Sequence, residues 1–452
     1  MSEKHKIEAG HAVGQPVTLR ELESHVKGQT VYYEDVKVPR MLHLKVHRSS
    51  VAHARILDID TSRAEQSDGV VSVLTYRDVP ATKVWTHFEA VGIAPGAEPI
   101  LALDKVRWKG EPIVAVVAES LKQAEDGAAK VKVTYEKLAS VFDVDAALAP
   151  GAPNLFDCWP DNHYLFPDDH AAAQIRFGDA EKAFAEADHI VEHVYNTRPI
   201  EQAPIETAGC VAVPGSDGRF TLYTNSQSLS NTRNNAAEIA GISPARLHLI
   251  GGTAGGGFGG KVDMAIEPMA LLAAMKSKRP VKYRFTREDE MTVSSTRAAW
   301  RVSIKDGVMQ DGRIVARYVT THQDVGAYLR NSIYGAFKHA SHMPGPYTVP
   351  NVSADVFCVF TNRTPSAAMR GFGVMPASFA IEMQMDRIAK ALRMDPWQLR
   401  LKNAFRNGDM KAHRREVWDA ALVETIQATA RLSGKDLPED YKQMSSQKRL
   451  GS

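Results

Sequence analysis

The stretch GGTAGGGFGGKVD, Gly251 to Asp263, carries seven glycines in thirteen residues around one aromatic, Phe258. A chain gives up side chains where its backbone turns with positive φ or approaches something closely. The stretch follows RLHLI (246–250), which reads as a strand, and precedes MAIEPMALLAAMKSK (264–278), which reads as a helix. Unpaired backbone N–H groups collect at such a junction and attract anions. Gly255, Gly257 and Gly260 meet the GxGxxG spacing of a dinucleotide fold, and Gly255 with Gly260-Lys261 fits the GxxxxGK of a phosphate loop. Yet Val262 stands where a phosphate loop needs a magnesium-binding hydroxyl. The next strand, VKYRF (281–285), is followed by Thr286, Arg287 and Glu288, with no clear ribose-binding acid. A tight strand–helix corner is the third reading, and none of the three explains Phe258.

A second stretch is built alike. AAMRGFGVMP (367–376) sets Phe372 between two glycines, after Arg370. The strand-like VFCVF (356–360) precedes it, and PASFAIEMQMDRIAKAL (376–392) follows with a helical period that puts Phe379, Met383, Ile388 and Leu392 on one face. Two Gly-Phe-Gly corners, each opening a helix, suggest two loops converging on one bound object. Asp395 is then expected to cap a helix with Pro396 at its first position, and Asn407-Gly408 to end it.

The remaining chain bounds the answer. Its 452 residues suffice for two or more domains, and 44% hydrophobic with 24% charged residues is ordinary for a soluble protein. A net charge of +2 points to no nucleic-acid partner. Cys158, Cys210 and Cys358 are scattered, which argues against a disulfide framework, a structural zinc site or an iron–sulfur cluster in this chain. No apolar run reaches membrane-spanning length, and MSEKHKIEAGH lacks the apolar core of a signal peptide, so a cytoplasmic protein is expected. LHLKV (42–46), VVSVL (70–74), IVAVV (113–117) and VKVTY (131–135) read as strands, with short helices opening near Thr61 and Ser120. The expected fold class is α+β, or mixed α/β. A small domain covers residues 1–150, and a larger one, after the Pro- and Asp-rich stretch 149–169, covers 151–452. SLSNTRNNAAEIAG (228–241) reads as a helix, and the tail DYKQMSSQKRLGS is expected to fray.

GGGFGGK (255–261), MRGFG (369–373) and FAIEMQMDRIAKALRMDPWQLRLKN (379–403) together resemble the molybdenum-binding subunit of the xanthine oxidase family, the molybdenum hydroxylases. VYYEDVKVPRMLHLKVHRSSVAHARILDIDTSRA (31–64) and GEPIVAVVAES (110–120) resemble the hammerhead α/β domain that begins these subunits. The resemblance runs from about Gly28 to Gly408. It implies a hammerhead-type domain followed by the first molybdopterin-binding domain.

By this resemblance the glycines Gly256, Gly257 and Gly259 let the chain approach a molybdenum–pterin centre. The backbone amide of Phe258 lies beside the metal, and that of Arg370 does the same from another side. Gln227, in NSQSLSN, matches the glutamine that hydrogen-bonds an oxygen ligand of the metal, and the ring of Phe372 lies against a planar substrate. Glu206, in APIETAG, is expected to be structural. Xanthine-oxidising members carry a purine-binding glutamate where this chain has Val262, and Lys338 falls near the place of a substrate-holding cation, though a salt-bridged surface lysine is the alternative. That pattern favours a nicotinate-like N-heteroaromatic over a purine; an aldehyde- or purine-oxidising member and a non-catalytic cofactor-binding fragment are the alternatives. The family's second cofactor-binding region, with its general-base glutamate, is expected on a partner chain, as in the split nicotinate dehydrogenases. The implied cofactor is molybdopterin with molybdenum, as the cytosine dinucleotide in a bacterial protein. The 2Fe-2S clusters and FAD would sit on an iron–sulfur subunit and an FAD subunit.

Overall fold

The computed structural model describes residues 15–80, 98–164, 171–262 and 266–437. The tail read as frayed, Asp263 and the first two residues of MAIEPMALLAAMKSK lie outside them. Three sheets carry the strands. The largest has seven, in the order Leu247–Gly251, Phe220–Thr224, Gly209–Pro214, Val281–Arg284, Leu42–Arg48, Pro112–Ala118 and Val70–Leu74. Its members come from both sides of residue 150: Leu42 and Leu44 pair in parallel with Val281 and Tyr283, while the same strand runs antiparallel to Pro112–Ala118. From Ile113 to Ala118 every residue is buried, which is what an uninterrupted apolar run in a sheet interior requires.

The second sheet orders His163–Tyr164, Val352–Phe360, Ile314–Gly326, Ala299–Val308 and His189–Thr197, with Ala173–Phe177 also on Val352–Phe360. A buried pair pins it: Arg317 Nε and Nη2 donate to the two oxygens of Asp306 at 2.7 and 3.1 Å, and Nη1 reaches the carbonyls of Met343 and Pro344 behind the helix Ser332–His342. Lys105–Val106, Ala54–Asp60 and Lys132–Lys137 form the small third sheet.

Local signals placed several helices. Ser120 caps Leu121–Ala129 by accepting from Gln123 N–H, and Asp395 accepts from Trp397 and Gln398 N–H at the start of Pro396–Asn403. That last helix stops before Asn407-Gly408. Asn403 turns its side chain onto Gly312 and Ile314, and Ala404 leaves to bridge Tyr347, so tertiary partners end the helix ahead of the glycine. The helix Val374–Leu392 corrects the expected face. Ala377, Ile381, Gln384, Met385 and Ile388 are buried, whereas Phe379 and Met383 are 43% and 40% exposed. Gln384 is buried because its amide bonds Tyr195 Oη and the Val191 carbonyl, which periodicity of apolar residues alone does not register. Among the described residues no helix is long and apolar enough to cross a membrane.

Both glycine stretches sit between a strand and a helix, one after Leu247–Gly251 in the first sheet and one after Val352–Phe360 in the second.

Candidate functional site

The first glycine loop is closed by one carboxylate. Glu206 Oε2 accepts the Gly255 N–H at 2.8 Å and the Lys261 ammonium at 3.0 Å, and the Glu206 N–H returns to the Gly255 carbonyl. The Lys261 side chain is 1% exposed and that of Glu206 8%. Burial pulls the Lys261 ammonium below its usual range, and the bond to Glu206 opposes that shift. A lysine held this way cannot reach a phosphate, so the phosphate-loop reading fails. The dinucleotide reading gains no acid either: Thr286 caps the helix Arg287–Val293 in a reciprocal pair that occupies Asp289.

Gln227 supports the loop from within. Its Oε1 accepts the N–H of Gly259 at 2.9 Å and of Lys261 at 3.3 Å, and its own backbone N–H donates to the Lys261 carbonyl. A Cβ at position 257 would stand 2.6 Å from that Oε1, so a side chain here would push the Gln227 amide off the loop. With Oε1 engaged, Nε2 is the half of the amide left to donate elsewhere.

Phe258 has φ +53° and is 47% exposed, between Gly256 and Gly259 at +97° and +100°. Gly255, Gly259, Gly260, Lys261 and Val262 all place their N–H groups on acceptors. The N–H groups of Gly256, Gly257 and Phe258 find none among the described residues. Consecutive free N–H groups on a turn with left-handed residues form an anion-binding concavity.

The second loop meets the first backbone to backbone. The Arg370 N–H donates to the Phe258 carbonyl at 2.7 Å, and a Cβ on Gly259 would lie 2.8 Å from the Ala368 carbonyl oxygen. The amide expected beside a metal ligand is thus engaged by Phe258, because the loops are close enough to pair. Other carbonyls of this loop turn into the protein. Gln202 Nε2 donates to Ala368 at 2.8 Å, Arg297 to Arg370 and Gly371, and His339 Nδ1 to Gly373 at 2.9 Å. His339 is buried, stacked on Trp300 at 4.4 Å, and lowered to about 4 by that burial, so it acts as a neutral donor. The N–H groups of Gly371, Phe372 and Gly373 have no acceptor among the described residues. Phe372 lies partly buried against Gly335, where a Cβ would come within 2.8 Å of its ring.

Val262 is half-buried at the end of the first loop, its N–H on the Gly259 carbonyl. Lys338 is exposed on the helix Ser332–His342 and makes no ion pair among the described residues. Gln202, Arg297 and His339 carried no motif. They are single polar residues far apart in sequence, and only the fold brings them to one loop. The donor set is backbone N–H groups and a carboxamide. Neutral donors of this kind fit an oxygen-rich or sulfur-rich anionic group, as a metal held by its own organic cofactor would be.

Residues 163–404 match the model of the molybdopterin cofactor-binding domain, and residues 27–139 match the a/b hammerhead domain of aldehyde oxidase and xanthine dehydrogenase. The chain is 34% identical over 403 residues to the nicotinate dehydrogenase large molybdopterin subunit of Eubacterium barkeri, spanning 89% of this chain and 92% of that one. It belongs to the xanthine dehydrogenase family of molybdenum hydroxylases. Within that family it is also 34% identical to a probable xanthine dehydrogenase subunit of Bacillus subtilis, over 85% of this chain and 50% of that one. Among solved structures, the aldehyde oxidoreductase of Desulfovibrio gigas superposes with a TM-score of 0.85 at 30% identity, covering 92% of this chain and 46% of that one. The chain therefore spans about half the length of these last two relatives.

Proposed function

We propose that this chain is the molybdenum-cofactor subunit of a hydroxylase that oxidises an electron-poor C–H of an anionic N-heteroaromatic, such as a pyridine carboxylate. The observation that carries the reading is the two paired loops whose N–H groups at Gly256–Phe258 and Gly371–Gly373 have no acceptor among the described residues, beside the amide of Gln227. When bound, a molybdenum–pterin would supply two-electron oxidation with water as the source of oxygen.

The chain's own residues then do three things. Gly256, Gly257 and Phe258 donate N–H groups to the cofactor without adding charge, and Gln227 Nε2 donates from the side. The bond between Arg370 and Phe258 keeps both loops in one register, so the donors stay aimed without reorganising. Phe372 offers a ring face to a planar substrate, and Val262 lines the site with no carboxylate to repel an anion. Lys338 is the candidate cation for the substrate's carboxylate.

A second molybdopterin-domain subunit with the general-base glutamate, an iron–sulfur subunit carrying 2Fe-2S clusters and an FAD subunit complete the enzyme in this reading. The relatives' names, a large molybdopterin subunit and a xanthine dehydrogenase subunit, support such an arrangement. We assign the cofactor to the cytosine dinucleotide form and the protein to the cytoplasm. The native complex is to be purified, its molybdenum, iron and flavin measured, and a panel of pyridine carboxylates, neutral N-heterocycles, aldehydes and purines assayed. Molybdenum with preferential turnover of a pyridine carboxylate is the expected result. A complex without molybdenum overturns the reading, and a preference for xanthine overturns the substrate.

A further inference from the structure

Among the described residues Arg297 is a buried cation without an acid. It is 5% exposed, and no carboxylate among the described residues comes within ion-pair distance. Arg317, Arg330 and Lys261, comparably buried, face Asp306, Glu98 and Glu206. The guanidinium of Arg297 donates to the Arg370 carbonyl and, at 3.4 Å, to the Gly371 carbonyl, while its Nε is buried with no partner among the described residues. Its backbone is fixed on both sides. The Arg297 N–H is bonded to the Ile200 carbonyl at 2.8 Å, and neighbouring Thr296 bridges Ser366. A buried charge held uncompensated is strongly destabilising, so a counter-charge must come from something else.

The bonds of Arg297 show which way it acts. The Arg370 carbonyl shares its peptide unit with the Gly371 N–H, and the Gly371 carbonyl shares its own with the Phe372 N–H. Both of these N–H groups are free among the described residues. A cation bonded to a carbonyl polarises the peptide unit and makes its N–H a stronger donor. The positive field of Arg297 therefore emerges at the face of the loop that has no acceptor.

We propose that Arg297 is a positioning residue of this site: the anionic molybdenum–pterin is its missing counter-charge, and it acts through the Arg370–Gly371 and Gly371–Phe372 peptide units. The proposal rests on the cofactor reading above.

The test compares the native complex with its Arg297→Gln and Arg297→Lys variants by three readouts. These are molybdenum content, the midpoint potential of the molybdenum centre, and the melting temperature of complex from molybdenum-starved cells. Without the cofactor, Arg297→Gln should melt at or above wild type, because an unpaired charge is gone; a merely structural arginine would lower it. With the cofactor, Arg297→Gln should retain roughly a tenth of the molybdenum and have a lower potential, since a positive charge beside the centre favours the reduced state. Arg297→Lys keeps the charge and should hold the wild-type potential. Wild-type potential and molybdenum content in Arg297→Gln overturn the proposal, as does a melting temperature that falls in metal-free complex. If Arg297→Gln yields no folded complex, Arg297→Lys decides: an unchanged potential upholds the role of the charge, and a lowered one overturns it. A wild-type complex without molybdenum would instead sink the functional reading itself.

Discussion

The N–H of Arg370 donates to the carbonyl of Phe258 at 2.7 Å, and this bond joins a loop that leaves one sheet to a loop that leaves another. The two Gly-Phe-Gly corners are therefore one structural unit. Its glycines are needed where the backbones touch, and its polar side chains hold the carbonyls so that the N–H groups face out.

Position 259 should tolerate no side chain. Gly259 has φ +100°, and a Cβ would stand 2.8 Å from the Ala368 carbonyl oxygen and 3.0 Å from Met369 Cα, neither of which can rotate away. Gly259→Ala is expected to cost about 2 kcal/mol or more in urea unfolding and to release molybdenum. Gly252→Ala, whose Cβ would meet only the Val31 carbonyl at 3.6 Å, should change neither.

Removing one partner of the buried Lys261–Glu206 pair should hurt more than removing both charges. Lys261→Met leaves the buried Glu206 carboxyl group without its cation and should cost about 3–5 kcal/mol. Lys261→Met with Glu206→Gln should recover a large part of that loss. A double variant as unstable as the single one would contradict the charge argument.

Gln227 bonds two amides of the glycine loop through one oxygen. Gln227→Leu removes that acceptor and the Nε2 donor together; the exposed Gly259 N–H can turn to water, while the part-buried Lys261 N–H is left unsatisfied at about 1–3 kcal/mol. Molybdenum content should fall more than tenfold in this variant, read by metal analysis of the purified complex. Gln227→Glu keeps the acceptor but loses the donor, so it separates loop support from cofactor contact.

Glu267, on the helix Ile266–Ser277, sets a pH dependence. Burial raises its carboxyl from 4.5 to about 7; Thr224 Oγ1 donates to one oxygen at 2.6 Å, and the other has no partner among the described residues. Between pH 4.5 and about 7 the folded chain keeps a proton that the unfolded chain has lost. Stability from this group is thus fully present below pH 4.5 and falls as pH rises toward 7, by about 3 kcal/mol in all. Glu267→Gln should remove that slope, so its advantage over wild type in unfolding free energy should grow from pH 5 to pH 8.

Val262→Glu should move substrate preference away from anions. A carboxylate at the end of the loop would repel a pyridine carboxylate and could pair with a purine N–H. We expect kcat/KM for the anionic substrate to drop by about 10- to 100-fold, with a smaller effect on its neutral amide. Equal losses for both substrates would remove Val262 from the selectivity argument.

What is legible in the sequence is local. Strand alternation and cap residues such as Ser120 and Asp395 act within a few residues, and the structure has them where the pattern puts them. The helix Val374–Leu392 forms where its period predicts, but its buried face depends on what packs against it, and Gln384 is held there by Tyr195. The end of Pro396–Asn403 departs from the local signal for the same reason, since Asn403 answers to Gly312 and Ile314 rather than to the nearby glycine.

The sequence by itself determined that two glycine-rich turns each join a strand to a helix, because φ preference and hydrophobic period are properties of neighbouring residues. Only the tertiary structure decided what those turns do. Lys261 faces Glu206 rather than a phosphate, Arg370 pairs with Phe258, and Arg297 meets two carbonyls about seventy residues further along the chain, with no acid beside it among the described residues. Those outcomes depend on which groups the fold brings together, and burial then makes each pairing, or its absence, costly enough to matter.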